Sequence, residues 1–303
     1  MKLQNSFIVR EYLRPQVLPT TWCPGCGLGI ILSSIAQAVH HRGLAKRDVA
    51  MVSGIGCTGR MSGYVDFNTL HTTHGRAPAF ATGLKLARPD MSVLCVMGDG
   101  DSMSIGGNHL VHAMRRNIGL TAIVVNNAVY GLTGGQASPT TPVGGRTTTS
   151  RSGSFERPMN LETLARAAGA AFYARATVNH TAALVKLIER ALAVPGFALV
   201  EVVSNCHVLY GRMNDLGDAS EMMKGMEGQT RRVNPVLLRR ADMPHRLGAA
   251  AAADAAANTE PVFDEDLRVQ RGVIFEQPHR PDYARRYQTL LHELKAKKAE
   301  AQT

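Results

Sequence analysis

The chain has 303 residues, with 34 Lys plus Arg against 24 Asp plus Glu for a net charge of +10. Hydrophobic residues at 45% and charged residues at 19% are globular proportions, which exclude a disordered chain, and no run of about 18 apolar residues offers a membrane span. The first fifteen residues, MKLQNSFIVREYLRP, are interrupted by charge, so a secretory signal is not expected and a cytoplasmic location is.

The basic excess lies in residues 1–206, with 19 basic and 10 acidic side chains, against 15 and 14 in 207–303. Such an excess suits acidic proteins or anionic small molecules. Nucleic acid is not expected, because there is no Lys/Arg-rich run and too few aromatics, 5% with a single Trp, to stack bases. Five cysteines in a chain that does not read as secreted point to metal or redox chemistry more than to a disulfide framework.

After CPGCG, apolar Leu28, Ile31, Leu32, Ile35 and Val39 recur at i, i+3, i+4, i+7 spacing, which predicts an amphipathic helix ending at Gly43. A short strand is expected at 49–53, then a Gly-rich loop around Cys57. A buried strand at 92–97, SVLCVM, runs into GDGD, and a helix follows at roughly 104–116. Strand 121–125 meets Asn126-Asn127. A loop rich in Gly, Ser, Thr and Pro then occupies 131–158, a length typical of functional or mobile segments. Helix 161–169, strand 171–176, helix 181–193 and strand 197–203 complete an alternation that predicts an α/β fold with a doubly wound parallel sheet. Residues 1–206 would form the binding domain. Residues 207–303 read as a C-terminal extension, with an Ala-rich segment at 245–261 and a solvated charged tail, KAKKAEAQT.

Ligands of doubly wound sheets sit at the carboxyl ends of strands, where both GDGD and Asn126-Asn127 fall. An Asp and an Asn at neighbouring strand ends are hard oxygen ligands suited to Mg²⁺ on a phosphate-bearing ligand, and the glycines let backbone approach it closely. The segment is no dinucleotide fingerprint, for GDGDSMSIGG lacks the GxGxxG spacing, and no GxxxxGK[ST] occurs. The cysteines Cys23, Cys26, Cys57 and Cys206 could hold either a zinc ion or a cubane iron–sulfur cluster, since both take four thiolates. Cys95, inside an apolar strand, reads as core.

GDG at 98–100 with Asn127 resembles the thiamine pyrophosphate motif, and the run GDGDSMSIGGNHLVHAMRRN…VVNNAVYGLTGGQASPTT is similar to the β subunits of 2-oxoacid:ferredoxin oxidoreductases. The WCPGCGLGIIL, SGIGCTGR and HTTHGR strings look most like the 2-oxoglutarate type. The likeness spans residues 18–210. It implies a pyrophosphate-type thiamine-binding domain, with Mg²⁺ held by Asp99, Asn127 and the carbonyl of Val129. Thiamine pyrophosphate would be lined by Ile55, Gly56, Cys57, Thr58, Gly100, Asp101, Gly131 and Leu132. It also implies that Cys23, Cys26, Cys57 and Cys206 bind a 4Fe-4S cluster. Arg60 matches a basic residue that meets the substrate carboxylate, a role its forked guanidinium suits, and His74 stands near the reacting carbon.

The implied reaction joins a 2-oxo acid, coenzyme A and oxidised ferredoxin to give acyl-CoA (succinyl-CoA from 2-oxoglutarate), CO₂ and reduced ferredoxin, with pyruvate or a branched-chain oxo acid as alternative substrates. Thiamine chemistry also needs a Glu at N1′ of the cofactor, and the resembling stretch of about 200 residues is expected to hold only the pyrophosphate-binding domain. The resemblance assigns it to the pyrimidine-binding domain of an α subunit, in an αβ dimer or its dimer. Arg146 and Arg151 in the long loop could meet coenzyme A, or the loop could be solvated and mobile. A non-redox thiamine decarboxylase component would explain Asp99 and Asn127 but not the four cysteines. A zinc-stabilised basic protein would explain the cysteines alone.

Overall fold

The computed structural model describes residues 7–8, 10–233, 236–237, 269–277, 280 and 282–300. The strands are β1 (Val49–Ser53), β2 (Asn68–His71), β3 (Ser92–Gly98), β4 (Leu120–Asn126), β5 (Val129–Tyr130), β6 (Gln136–Ala137), β7 (Phe172–Thr177), β8 (Ala198–Val203), β9 (Thr230–Arg232), β10 (Val236–Leu237) and β11 (Val269–Glu276). The helices are α1 (Leu28–His41), α2 (Ala77–Ala87), α3 (Gly107–Arg116), α4 (Leu161–Ala168), α5 (Thr181–Ala193), α6 (Ala219–Gly228) and α7 (Tyr283–Glu300). Among the described residues one nine-stranded sheet runs in the order β10-β11-β7-β8-β4-β3-β1-β2, with β9 also paired to β11.

The central strands VAMVS, SVLCVMG, LTAIVVN and ALVEVV are buried almost throughout, as parallel strands covered on both faces must be. Alternate residues feed two apolar layers. Val49, Met51, Leu94 and Val96 pack under α1 and α5, while Ala50, Val52, Val93 and Cys95 pack with Ala81 of α2, Leu110 of α3 and Leu161 of α4. Cys95 is thus enclosed by apolar neighbours, 1% exposed.

The parallel sheet expected from the alternation is present in β1–β4, β7 and β8, and β11 adds an antiparallel neighbour to β7. Residues beyond 206 therefore return to the sheet edge next to β7. Three elements were not legible in the chain. Strand β2, NTLH, is short and largely exposed, so it carries no apolar signature. Helix α2, APAFATGLKLA, contains a Pro and a Gly that read as breakers, yet the Pro lies in the first turn, where no helical N–H is lost. Of the charged tail, residues up to Glu300 belong to α7. The Ala-rich 245–261 segment lies outside the described residues.

The long loop 131–158 is bonded to itself. Gly144 N–H donates to Ser154 O at 2.7 Å, Ser154 N–H to Gly145 O at 2.8 Å, and Thr148 N–H to Gly135 O at 2.9 Å. Arg146 forms an ion pair with Asp215, and its N–H donates to Asn214 Oδ1 at 2.7 Å.

Candidate cofactor and thiol site

The strand order 8-4-3-1 brings four strand ends side by side. The loop after β1 carries Cys57, the turn after β3 carries Asp99, β4 ends at Asn126-Asn127, and β8 is followed by Cys206. Residues separated by nearly 150 positions thereby meet along one edge of the sheet.

Asp99 is 2% exposed. Its Oδ2 accepts from the backbone N–H of Ala128 at 2.8 Å and of Asn127 at 3.3 Å, and from the hydroxyls of Thr140 at 2.6 Å and Ser138 at 3.1 Å. Oδ1 accepts the N–H of Gly100 at 2.7 Å, which leaves a second lone pair on that oxygen for a cation. Burial pushes the Asp99 carboxyl above its ordinary range despite these donors, so a nearby cation would favour its charged form. The two backbone donors converge because Ala128 takes a left-handed conformation, φ +63°. Neither Ala128, Ser138 nor Thr140 was marked by the sequence, since nothing local links them to an Asp about 30 to 40 residues earlier.

Beyond Gly100, the chain makes a π-helical turn, Asp101–Ile105, and a second such turn, His207–Gly211, follows Cys206. These irregular turns re-aim the chain directly after candidate ligands. Asp101 Oδ1 accepts from Gly75 N–H at 2.6 Å, from Ile55 N–H at 3.4 Å and from Nδ1 of His74, while its buried Oδ2 has no hydrogen-bond partner.

A cavity of about 80 Å³ opens between these loops, lined by Ile55, Gly56, Cys57, Thr58, His74, Asp99, Gly100, Asp101, Asn127, Val129, Gly131 and Leu132, with Gly98, Tyr130 and Thr133. Every residue that the resemblance assigned to thiamine pyrophosphate or Mg²⁺ lies on its wall, and so does His74. Arg60 does not. It sits exposed on the turn after Cys57, hydrogen-bonded to Tyr64. Two of the cavity's glycines are closely packed. A Cβ on Gly100 would meet the Tyr130 ring at 2.2 Å, and one on Gly131 would stand 3.3 Å from Cys57 Sγ and 3.9 Å from Cys206 Sγ. Those two sulfurs therefore flank the backbone of the cavity wall.

The CPGCG turn is clamped against them. Asn205 Oδ1 accepts from Gly27 N–H at 3.0 Å and its Nδ2 donates to Gly25 O at 3.0 Å, while Trp22 Nε1 donates to Cys57 O at 2.8 Å. Gly25, at φ +86°, lies against Ala219, where a Cβ would come within 2.7 Å. Burial and the adjacent thiols push Cys57 and Cys206 upward and raise Cys26 to about 11, so the group disfavours free thiolates until a positive centre compensates them. Cys23 is exposed. Among the described residues no three His, Cys, Asp or Glu side chains converge on a point that suits one ion.

Residues 50–202 match the model of the thiamine pyrophosphate enzyme C-terminal binding domain. The chain is 54% identical over 196 residues to 2-oxoglutarate synthase subunit KorB of Archaeoglobus fulgidus, covering 65% of this chain and 73% of that one. It belongs to the 2-oxoacid:ferredoxin oxidoreductase β-subunit family. Identity to the KorB subunit of Methanothermobacter marburgensis is 49% over 224 residues, covering 74% of this chain and 78% of that one. The structure also superimposes on a 2-oxoglutarate:ferredoxin oxidoreductase from Magnetococcus marinus, solved with 2-oxoglutarate, coenzyme A and succinyl-CoA bound. The TM-score is 0.78 at 31% identity, over 94% of this chain and 90% of that one. The expected fold class and family are thus found. Among the described residues no helix is long and apolar enough to cross a membrane.

Proposed function

We propose that this β subunit, joined to an α subunit, oxidises 2-oxoglutarate and coenzyme A to succinyl-CoA and CO₂ and delivers two electrons, one at a time, to ferredoxin. The observation that carries this reading is the meeting of the two candidate sets: Cys57 lines the same cavity as Asp99, Asn127 and Gly131, and Cys206 stands against Gly131.

Thiamine pyrophosphate, when bound, supplies the electron sink for decarboxylation, and a 4Fe-4S cluster supplies a one-electron acceptor beside it. Asp99, Asn127 and the Val129 carbonyl are the oxygen donors for Mg²⁺ on the pyrophosphate. The lone pair left on Asp99 Oδ1 and the Gly-rich wall fit that group. Cys23, Cys26, Cys57 and Cys206 would hold the cluster. A cubane takes four thiolates, and the sulfurs of Cys57 and Cys206 stand together against Gly131 of the cavity wall.

His74, whose Nδ1 is held by Asp101 and which lines the cavity, would serve the substrate as proton donor or acceptor through Nε2. Arg60, exposed on the turn after Cys57 and off the cavity wall, would meet a substrate carboxylate only where the α subunit closes over it. The cavity is far smaller than a thiamine cofactor needs, which agrees with a cofactor shared between subunits and with the N1′ glutamate coming from the partner.

The test is anaerobic co-purification with the α subunit and comparison of kcat/KM for 2-oxoglutarate and pyruvate with ferredoxin as acceptor. Preference for 2-oxoglutarate, with no turnover by the β subunit alone, is expected. Preference for pyruvate overturns the substrate assignment, and full turnover by the lone chain overturns the shared site.

A further inference from the structure

A second, larger cavity of about 400 Å³ lies between α5 and the β7–β11 edge. Among the described residues its wall carries Arg175, His180, Lys186, Arg190, Arg232 and Arg271 and no acidic residue. Half of these cations are already compensated. Arg175 pairs with Glu201 at 2.5 Å and Glu162 at 3.5 Å, His180 stands 3.4 Å from Glu227, and Arg190 pairs with Glu276. Lys186, Arg232 and Arg271 have no carboxylate within ion-pair distance among the described residues, and Lys186 and Arg232 are exposed. Between the charges lie Ala182, Ala183, Leu187 and Val273, so the surface mixes small apolar faces with uncompensated cations.

The position of the cleft gives it a use. Val178 is two residues before His180, and its Cγ1 lies 2.8 Å from the Cβ position of Gly27, the residue after Cys26. The His180 end of the cleft is therefore its end nearest the CPGCG turn, and the cleft runs from there along α5. Electron transfer weakens steeply with distance, so a protein that collects electrons from a centre held by these cysteines must seat next to that turn.

We infer that this cleft is the docking surface for an acidic one-electron carrier protein, the ferredoxin of the proposed reaction. The inference rests on that reading for the carrier's identity. A cleft of one sign raises the local concentration of an oppositely charged partner and accelerates its encounter, at a cost in salt sensitivity. The small apolar faces fit a contact that must release its partner after each electron.

The test uses the assembled αβ enzyme with Lys186→Glu and Arg232→Glu combined, assayed with ferredoxin and separately with methyl viologen, a small cationic acceptor that needs no basic cleft. The KM for ferredoxin should rise about tenfold or more, and the decline of kcat/KM with ionic strength should flatten. Viologen-linked kcat and the KM for coenzyme A should stay at wild-type values. The milder Lys186→Gln/Arg232→Gln pair should give an intermediate KM, which keeps the test open if the reversed pair folds poorly. A ferredoxin KM unchanged in both variants overturns the docking surface, and so does a rise confined to coenzyme A, which would make the cleft a polyphosphate site. Absence of viologen-linked turnover in the wild-type enzyme would instead overturn the proposed reaction.

Discussion

Oδ1 of Asp101 holds His74 by Nδ1 and the adjacent Gly75 by its N–H, so one buried carboxylate fixes both a ring and the backbone that carries it. Tyr130 meets the same imidazole edge-on, with ring centroids 6.0 Å apart, and closes its other side. A His with one nitrogen committed to a carboxylate has its tautomer set by that bond, which leaves the other nitrogen defined for proton transfer. Asp101 is thus a positioning residue for His74 as much as part of the cofactor wall.

If the pair acts as a unit, His74→Asn and Asp101→Asn should each lower kcat by about 10²-fold, the lower range for a lost acid–base group. The double variant should be no slower than the worse single one, because a unit broken once cannot be broken again. Multiplying losses in steady-state kinetics would show that the residues act separately.

The Asn126 amide donates to Glu201 Oε1 at 2.7 Å, and Glu201 Oε2 receives Arg175 Nε at 2.5 Å and the Tyr173 hydroxyl. Burial alone would raise the Glu201 carboxyl, but Arg175, Tyr173 and Asn126 together hold it below its ordinary value of 4.5. A depressed acid contributes stability that is complete above its unfolded pKa and is lost as pH falls through the folded one. Glu201→Gln, which leaves buried Arg175 with only its longer contact to Glu162, should cost about 3 kcal/mol at pH 7. That gap should begin to narrow below about pH 4.5, as Glu201 of the unfolded chain takes up a proton, and close as pH falls through the lower value of the folded protein. Urea unfolding of both proteins at pH 7 and pH 4 checks this, and a constant gap would rule it out.

Gly100 sits at φ −64°, ψ −39°, ordinary helical geometry, so alanine there meets no backbone strain. The obstacle is the Tyr130 ring, 2.2 Å from the added Cβ. Gly100→Ala should therefore cost about 1–3 kcal/mol of stability through overpacking. It should also weaken thiamine pyrophosphate binding by displacing the cavity wall. Adding Tyr130→Leu should restore stability, measured by denaturant midpoints. A single variant as stable as wild type would show that the ring moves aside freely.

The strand ends and cysteines were legible because their residue types are scarce and chemically committed: GDG, an Asn at the next strand end, and thiols at 23, 26, 57 and 206. The buried runs SVLCVM and ALVEVV likewise announced strands by composition alone. Partners chosen only by three-dimensional closure were hidden. Ser138 and Thr140 bond Asp99 from a loop that reads as generic polar chain, and β11 contains a Gly at φ +120° and two polar or charged residues, Gln270 and Arg271, before its apolar run. Asn205 looked like a spacer before Cys206, yet its amide bridges to a turn 178 to 180 positions away.

That bridge makes a discriminating pair of predictions. Removing a proposed ligand by Cys206→Ser should abolish cluster retention, read as iron and sulfide content near four of each per wild-type chain. Cys95→Ala, in the apolar layer, should leave both contents unchanged. Asn205→Leu keeps all four thiols but deletes the hydrogen bonds to Gly25 and Gly27, so the CPGCG turn loses its register with Cys206. It should load iron initially and lose it faster than wild type on anaerobic dialysis against a chelator, with the dithionite-bleachable absorbance decaying in parallel. Retention equal to wild type would mean that the thiols hold the turn in place without the asparagine.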